Sequence, residues 1–81
     1  MNNIFIYQQE FTLYKKNSSV ILSRSEVISR NFYTSREAIE AEIERQINNF
    51  LSQSSSVTRR GLCVDGEDQS IRYRIVELTQ A

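Results

Sequence analysis

Apolar and polar positions along residues 4–16 follow the pattern of a β-strand. The segment is rich in aromatic and β-branched residues and contains no glycine. The period of two divides its apolar side chains between two faces: Phe5, Tyr7, Phe11 and Leu13 on one, and Ile4, Ile6 and Tyr14 on the other. Because neither face is wholly polar, we expect both to be at least partly covered.

A second strand is predicted over residues 20–33. The polar residues 16–19 separate it from the first strand and contain turn-forming side chains. The segment begins with Val20 and ends with Tyr33, but the polar residues 23–26 interrupt its alternation. We therefore expect a bulge or bend within residues 23–26.

The helical pattern of residues 35–52 follows. Thr34 and Glu37 have the spacing of a capping box, which predicts Thr34 as the N-cap. Apolar side chains then recur at helical spacing and form one stripe: Ile39, Ile43, Ile47, Phe50 and Leu51. We predict an amphipathic helix that packs this stripe against the strands.

Two further strands are predicted, over Val57–Val64 and Ser70–Thr79, with a turn between them in which Gly66 is available for a positive φ. The predicted fold class is α+β: a four-stranded, mainly antiparallel sheet with one helix packed on one face, in ββαββ order. We expect residues 1–81 to form a single domain. One helix covers only part of such a sheet, so apolar side chains on the other face are left for a partner.

Arginines cluster in the last predicted hairpin. A turn at residues 66–69 places Arg59, Arg72 and Arg74 together on the open face of the sheet, around Cys63. Guanidinium groups on one face favour the binding of phosphates or carboxylates. The alternative interpretation is an ordinary solvated face, and a register shift of one residue would disperse the cluster.

The charges are segregated although ten basic and ten acidic residues cancel. Four glutamates lie on the predicted helix, including Glu37 and Glu44, which we take as candidates for binding a basic partner. The alternative is that glutamates near a helix N-terminus only complement the helix dipole.

The amino-acid composition excludes several kinds of catalytic and binding site. The chain has no histidine, one cysteine and two glycines, so it cannot form a histidine-dependent triad, a thiolate zinc site or a phosphate-binding glycine loop. The acidic turn with Asp65, Glu67 and Asp68 lacks the spacing of a calcium loop, and Cys63 is interpreted as a small filler residue. We expect no enzymatic activity, no cofactor and no metal.

The predicted location is the cytoplasm. The N-terminal residues lack the basic start and long apolar stretch of a signal peptide, and the apolar runs are far shorter than the roughly 20 residues of a membrane span. We therefore expect no membrane partner.

The favoured function is a small protein-binding module that occupies a target surface. Two forms of it are a homodimer and an inhibitor or accessory protein of the phage or mobile-element type, the latter by analogy alone. The apolar residues expected on the open face are Ile4, Ile6, Tyr14, Val76 and Leu78.

The alternative is a nucleic-acid-binding protein that uses the basic sheet face, with Tyr14 and Tyr73 available for base stacking. The zero net charge and the sequence pI of about 6.2 weigh against this alternative.

Overall fold

The computed structural model describes residues 3–53 and 56–79 and has one helix and five strands within them. These elements are β1 (Asn3–Tyr14), β2 (Ile21–Ile28), α1 (Arg36–Gln53), β3 (Thr58–Arg60), β4 (Cys63–Asp65) and β5 (Gln69–Thr79). The strands form one antiparallel sheet in the order β2-β1-β5-β4-β3. The α+β class is confirmed, but four strands in ββαββ order is wrong, because the chain runs ββαβββ.

The extra strand arises at Gly61, in the middle of the predicted strand Val57–Val64. Gly61 has a φ of 59°, a left-handed conformation that glycine adopts without steric cost. The chain therefore turns back on itself, and β3 pairs with β4 through Arg60 and Cys63. Gly66, which the sequence makes available for a positive φ, does not adopt one, whereas Gly61 does.

The second strand is shorter than predicted and ends at Ile28. Its register with β1 shifts between Leu13 and Tyr14, which leaves Leu22 as the additional residue of a β-bulge. Residues 23–26 pair regularly, so the predicted irregularity is real but lies outside them. Beyond β2 the chain returns to β1, where Phe5 and Tyr33 exchange backbone hydrogen bonds of 2.7 and 2.9 Å.

The long pairing of β1 with β5 forms the centre of the sheet. It extends from the pair Asn3–Thr79 to the pair Leu13–Gln69. Because these strands are the first and last of the described chain, their pairing cannot be read from a local turn.

Helix α1 confirms the predicted helix to within one residue at each end. Its N-cap is Ser35, whose Oγ accepts a hydrogen bond of 3.1 Å from the N–H of Ala38. The predicted capping box of Thr34 and Glu37 is therefore wrong by one residue. Thr34 and Ser35 both have a hydroxyl group suited to an N-cap, and the backbone conformation determines that Ser35 caps the helix.

The core lies between α1 and one side of the sheet. Ile39, Ile43 and Ile47 are completely buried, as their spacing predicts. The sheet contributes the buried side chains of Phe5, Val64, Ile71 and Tyr73. The helix does not cover β2, in which all eight residues are exposed.

Candidate functional site

The open face is the side of the sheet opposite α1. Cross-strand pairing aligns Glu26, Glu10, Arg72, Cys63 and Arg60 in one row across all five strands. We call these five residues the charged row. The charges in this row are separated by sign: two carboxylates lie together at the β2 end, and two arginines flank the cysteine at the other end.

Arg72 and Arg74 are exposed on this face, as predicted from the last hairpin. Arg72 lies opposite Glu10 and Arg74 opposite Gln8, and with Glu26 they line a concavity of about 150 Å³. Within residues 3–53 and 56–79, neither arginine forms an ion pair. This concavity presents guanidinium donors beside carboxylate acceptors, which suits a protein surface of mixed charge better than a run of phosphates.

Arg59 does not belong to this cluster, and its predicted place on the open face is wrong. The turn at Gly61 pairs Arg59 with Val64, a core residue, so that Arg59 lies on the helix side of the sheet. Its Nη1 donates a hydrogen bond of 2.7 Å to Glu44 Oε2, Nη2 donates a second to Glu44 Oε1, and Nε donates one of 2.8 Å to the carbonyl of Gly61. Arg60 takes the open-face position instead and pairs with Asp65 at 3.0 Å.

The glutamates of α1 are largely neutralised by arginines. Glu40 pairs with Arg36, and Glu42 pairs with Arg45. The hydrogen bonds and charge of Arg59 lower the pKa of Glu44 despite partial desolvation. Of the two helix residues predicted to bind a partner, Glu44 is therefore engaged within the chain. Glu37 is exposed in the first helical turn, where the helix dipole favours it.

Tyr73 is buried under the helix and cannot stack on a base, contrary to the prediction. Its hydroxyl donates a hydrogen bond of 2.8 Å to Gln46 Oε1 and accepts one of 3.2 Å from Gln9 Nε2. Burial is the main cause that raises the pKa of Tyr73 to about 12. Tyr14, by contrast, is half-buried at the end of β1 and alternates onto the open face.

Gln46 connects this tyrosine to the surface of the helix. Its Nε2 donates hydrogen bonds of 2.9 Å to Tyr7 Oη and 2.7 Å to Glu42 Oε2. Hydrogen bonds from Arg45, then from Gln46, lower the pKa of Glu42. No sequence pattern predicts this polar network, because its members lie on three different elements. It joins α1 to β1 and β5 through side-chain hydrogen bonds.

Cys63 is half-buried in the charged row. Its thiol donates to Asp65 Oδ1 at 3.6 Å, and its sulfur lies 3.6 Å from Ser70 Oγ. Burial opposes ionisation of Asp65, but hydrogen bonds from Ser70 and Arg60 outweigh it and lower the pKa of that carboxyl. The cysteine thus contacts polar side chains on β4 and β5, and its interpretation as a small filler stays a prediction.

The acidic turn remains an ordinary turn in the structure. Asp65 is engaged by Arg60, and Asp68 Oδ1 accepts a hydrogen bond of 3.4 Å from the N–H of Asn17. The described part of the chain contains no cluster of three or more acidic, cysteine or histidine side chains placed to hold a metal ion. In the same residues, no helix has the length and apolar character needed to cross a membrane.

Beside the charged row, the open face becomes apolar. Ile4 pairs with Leu78 and Ile6 with Val76, which confirms that these four share the face. Ile28 pairs with Gln8 at the β2 edge of this face, and Phe32 directly precedes the Tyr33 bridge to Phe5; these two side chains are 61% and 68% exposed. We call this six-residue surface the apolar end.

The exposed apolar side chains concentrate along β2. Of nine large apolar residues that are exposed in the described residues, six lie between positions 20 and 32: Val20, Ile21, Leu22, Val27, Ile28 and Phe32. The residue pattern predicts a strand here but does not reveal that it is uncovered. That one helix leaves part of the sheet uncovered is predictable from the sequence, but only the strand order shows that the uncovered part is β2.

Comparison with protein-family models, with curated proteins and with solved structures finds no match for this chain. The candidate site therefore rests on the geometry of the chain itself.

Proposed function

We propose that this protein works by binding another protein chain at the open face and β2 edge of its sheet, and that it catalyses no reaction. The observation that carries the proposal is that all eight residues of β2 are exposed, with apolar side chains at both ends of the strand. A long, exposed and apolar edge strand is a template for pairing with another chain. Water contact with a contiguous apolar surface is unfavourable, so covering it drives association.

The charged row supplies specificity to this surface. Glu10 and Glu26 lie beside Arg72 within one concavity, and all three side chains are free of ion pairs in the part of the chain that the structure describes. Charges of both signs select a partner of complementary pattern and disfavour others. The same mixture argues against a nucleic-acid ligand, since the carboxylates would face the phosphates.

The test is capture of partners from native lysate by the tagged chain, with and without nuclease. The variant Ile28→Asp places a charge in the apolar end. Its control, Leu62→Asp, makes the same kind of change near the opposite edge of the sheet, between β3 and β4. We expect the wild type and Leu62→Asp to retain the same proteins after nuclease treatment, and Ile28→Asp to lose them.

Two results contradict the proposal. Unchanged capture by Ile28→Asp shows that the β2 edge is not the binding surface. Capture that disappears with nuclease supports the nucleic-acid alternative instead. Far-UV circular dichroism of each variant confirms that the fold is intact.

A further inference from the structure

The backbone of β2 has a defined set of free hydrogen-bonding groups. The N–H of Ser29 donates to the carbonyl of Tyr7 at 2.9 Å. The alternation of an antiparallel ladder therefore directs the backbone groups of Val27 and Ser25 toward β1, and those of Arg24, Glu26 and Ile28 away from it. Because β2 is at the edge of the sheet, these outward groups meet no other strand of the described chain.

We propose that the occupant of this edge is a second copy of the same chain, paired antiparallel through β2 with the two-fold axis at Ser25. The inference rests on the proposed function and names its partner. A two-fold axis at residue 25 places residue 24 of one copy opposite residue 26 of the other, so that the outward groups of both strands face each other.

The side chains of β2 are complementary about that axis. Arg24 lies opposite Glu26 of the second copy, and the pair occurs twice by symmetry. Beyond Ser23 the β-bulge interrupts the regular ladder, and Ile28 comes near Ile21 and Leu22 of the second copy, also twice. Opposite charges and apolar pairs directly across a ladder both stabilise it.

Neighbouring registers lack this complementarity. An axis at Glu26 places two glutamates opposite each other, and an axis at Arg24 does the same with two arginines. Like charges directly opposite destabilise a strand pair. The segment 22–28 therefore selects one register for self-pairing.

The resulting assembly is closed. Two five-stranded sheets join into one sheet with both helices on the same side. Ile28 and Phe32 of one copy come near the segment 20–22 of the other, so the exposed apolar residues of the edge meet. The opposite edge, β3, is only three residues long, and so short an edge resists further addition of strands.

The test is the mass of the purified full chain, measured by sedimentation equilibrium at micromolar concentrations. The wild type should have twice the monomer mass of 9.5 kDa. The variants Arg24→Glu and Glu26→Arg each create two like-charge pairs, and each should weaken self-association about tenfold or more. Arg36→Glu, a charge reversal on the exposed face of α1, should leave the mass unchanged.

Charge restoration makes the test specific. In an equimolar mixture of the two single variants, positions 24 and 26 are both acidic in one copy and both basic in the other. Opposite charges then face each other at both places, so the mixture should recover the double mass. The double variant R24E/E26R should also dimerise like the wild type.

A monomeric wild type overturns the inference, as do single variants that dimerise normally or a mixture that stays monomeric. If the wild type is monomeric but still captures proteins through Ile28, only the self-pairing fails and the proposed function stands.

Discussion

The guanidinium of Arg59 donates two hydrogen bonds to the carboxylate of Glu44 and thereby joins β3 to α1. Both residues were candidates for binding an external partner, and each is instead the partner of the other. Since β3 has only three residues, this ion pair and that of Arg60 with Asp65 on β4 attach it to the rest of the fold through side chains.

Replacing Arg59 by alanine should therefore loosen β3. We expect the backbone amides of residues 58–60 to exchange with deuterium faster in Arg59→Ala than in the wild type. Arg74→Ala removes an arginine that forms no ion pair in the described residues and serves as the control. Equal exchange in the two variants would contradict the attachment of β3 by Arg59.

The same ion pair predicts a pH dependence. Because the pKa of Glu44 is lowered from 4.5, the protection of the residue 58–60 amides from exchange should persist above pH 4.5 and be lost as the pH falls through the lowered pKa.

The N-cap is tested by two neighbouring substitutions. Ser35→Ala removes the oxygen that accepts from Ala38 and should lower the free energy of unfolding by about 1 kcal/mol. Thr34→Ala should cost markedly less, because Thr34 is outside the cap. Urea unfolding measures both, and a larger loss in Thr34→Ala would restore the capping box that the sequence suggests.

The buried stripe is tested at its centre. Ile43 is completely buried, so Ile43→Ala should lower the free energy of unfolding by about 2–5 kcal/mol. Ile43→Val removes one methylene and should cost about 0.5–1.5 kcal/mol. Denaturant melts that show similar, near-zero losses for both variants would mean that this face of α1 is not packed.

The turn between β3 and β4 favours glycine at position 61 because of the backbone conformation there, and not because a side chain would lack space. A Cβ at Gly61 would meet nothing within 4 Å, but its φ of +59° strains any L-residue. Gly61→Ala should therefore cost about 1–2 kcal/mol. In the control Gly66→Ala, the new Cβ meets the flexible Gln69 side chain at 3.3 Å, so a smaller loss is expected. Thermal melts that rank the two variants in the opposite order would contradict this account.

The raised pKa of Tyr73 predicts that the protein loses stability at alkaline pH. Its pKa of about 12 in the folded state lies above the ordinary tyrosine value of 10.0. A group with a raised folded pKa contributes stability that is complete below the unfolded value and declines as the pH rises toward the folded one. We expect the free energy of unfolding to fall between pH 10 and about 12, and to fall less steeply in Tyr73→Phe.

That substitution also removes the hydrogen bond to Gln46 and should cost about 1 kcal/mol at neutral pH. Ultraviolet absorbance of tyrosinate provides the direct measurement. If every tyrosine titrates near pH 10.0, Tyr73 is not buried as described.

Local relationships were readable from the sequence alone. Helical spacing of Ile39, Ile43 and Ile47 predicted both α1 and its buried side, because a helix repeats within a few residues. The pairing of Val64 with Ile71 followed from a short turn, and the structure has it. The absence of histidine likewise excluded whole classes of chemistry without any coordinates.

Relationships between distant parts of the chain were decided only by the tertiary structure. The left-handed turn at Gly61 moved Arg59 to the helix side, because residues on a strand alternate between faces and a change of register reverses them. The pairing of the first strand with the last placed β2 at an edge. One helix is too narrow to reach that edge, so the apolar residues that a strand pattern assigns to a core are left exposed.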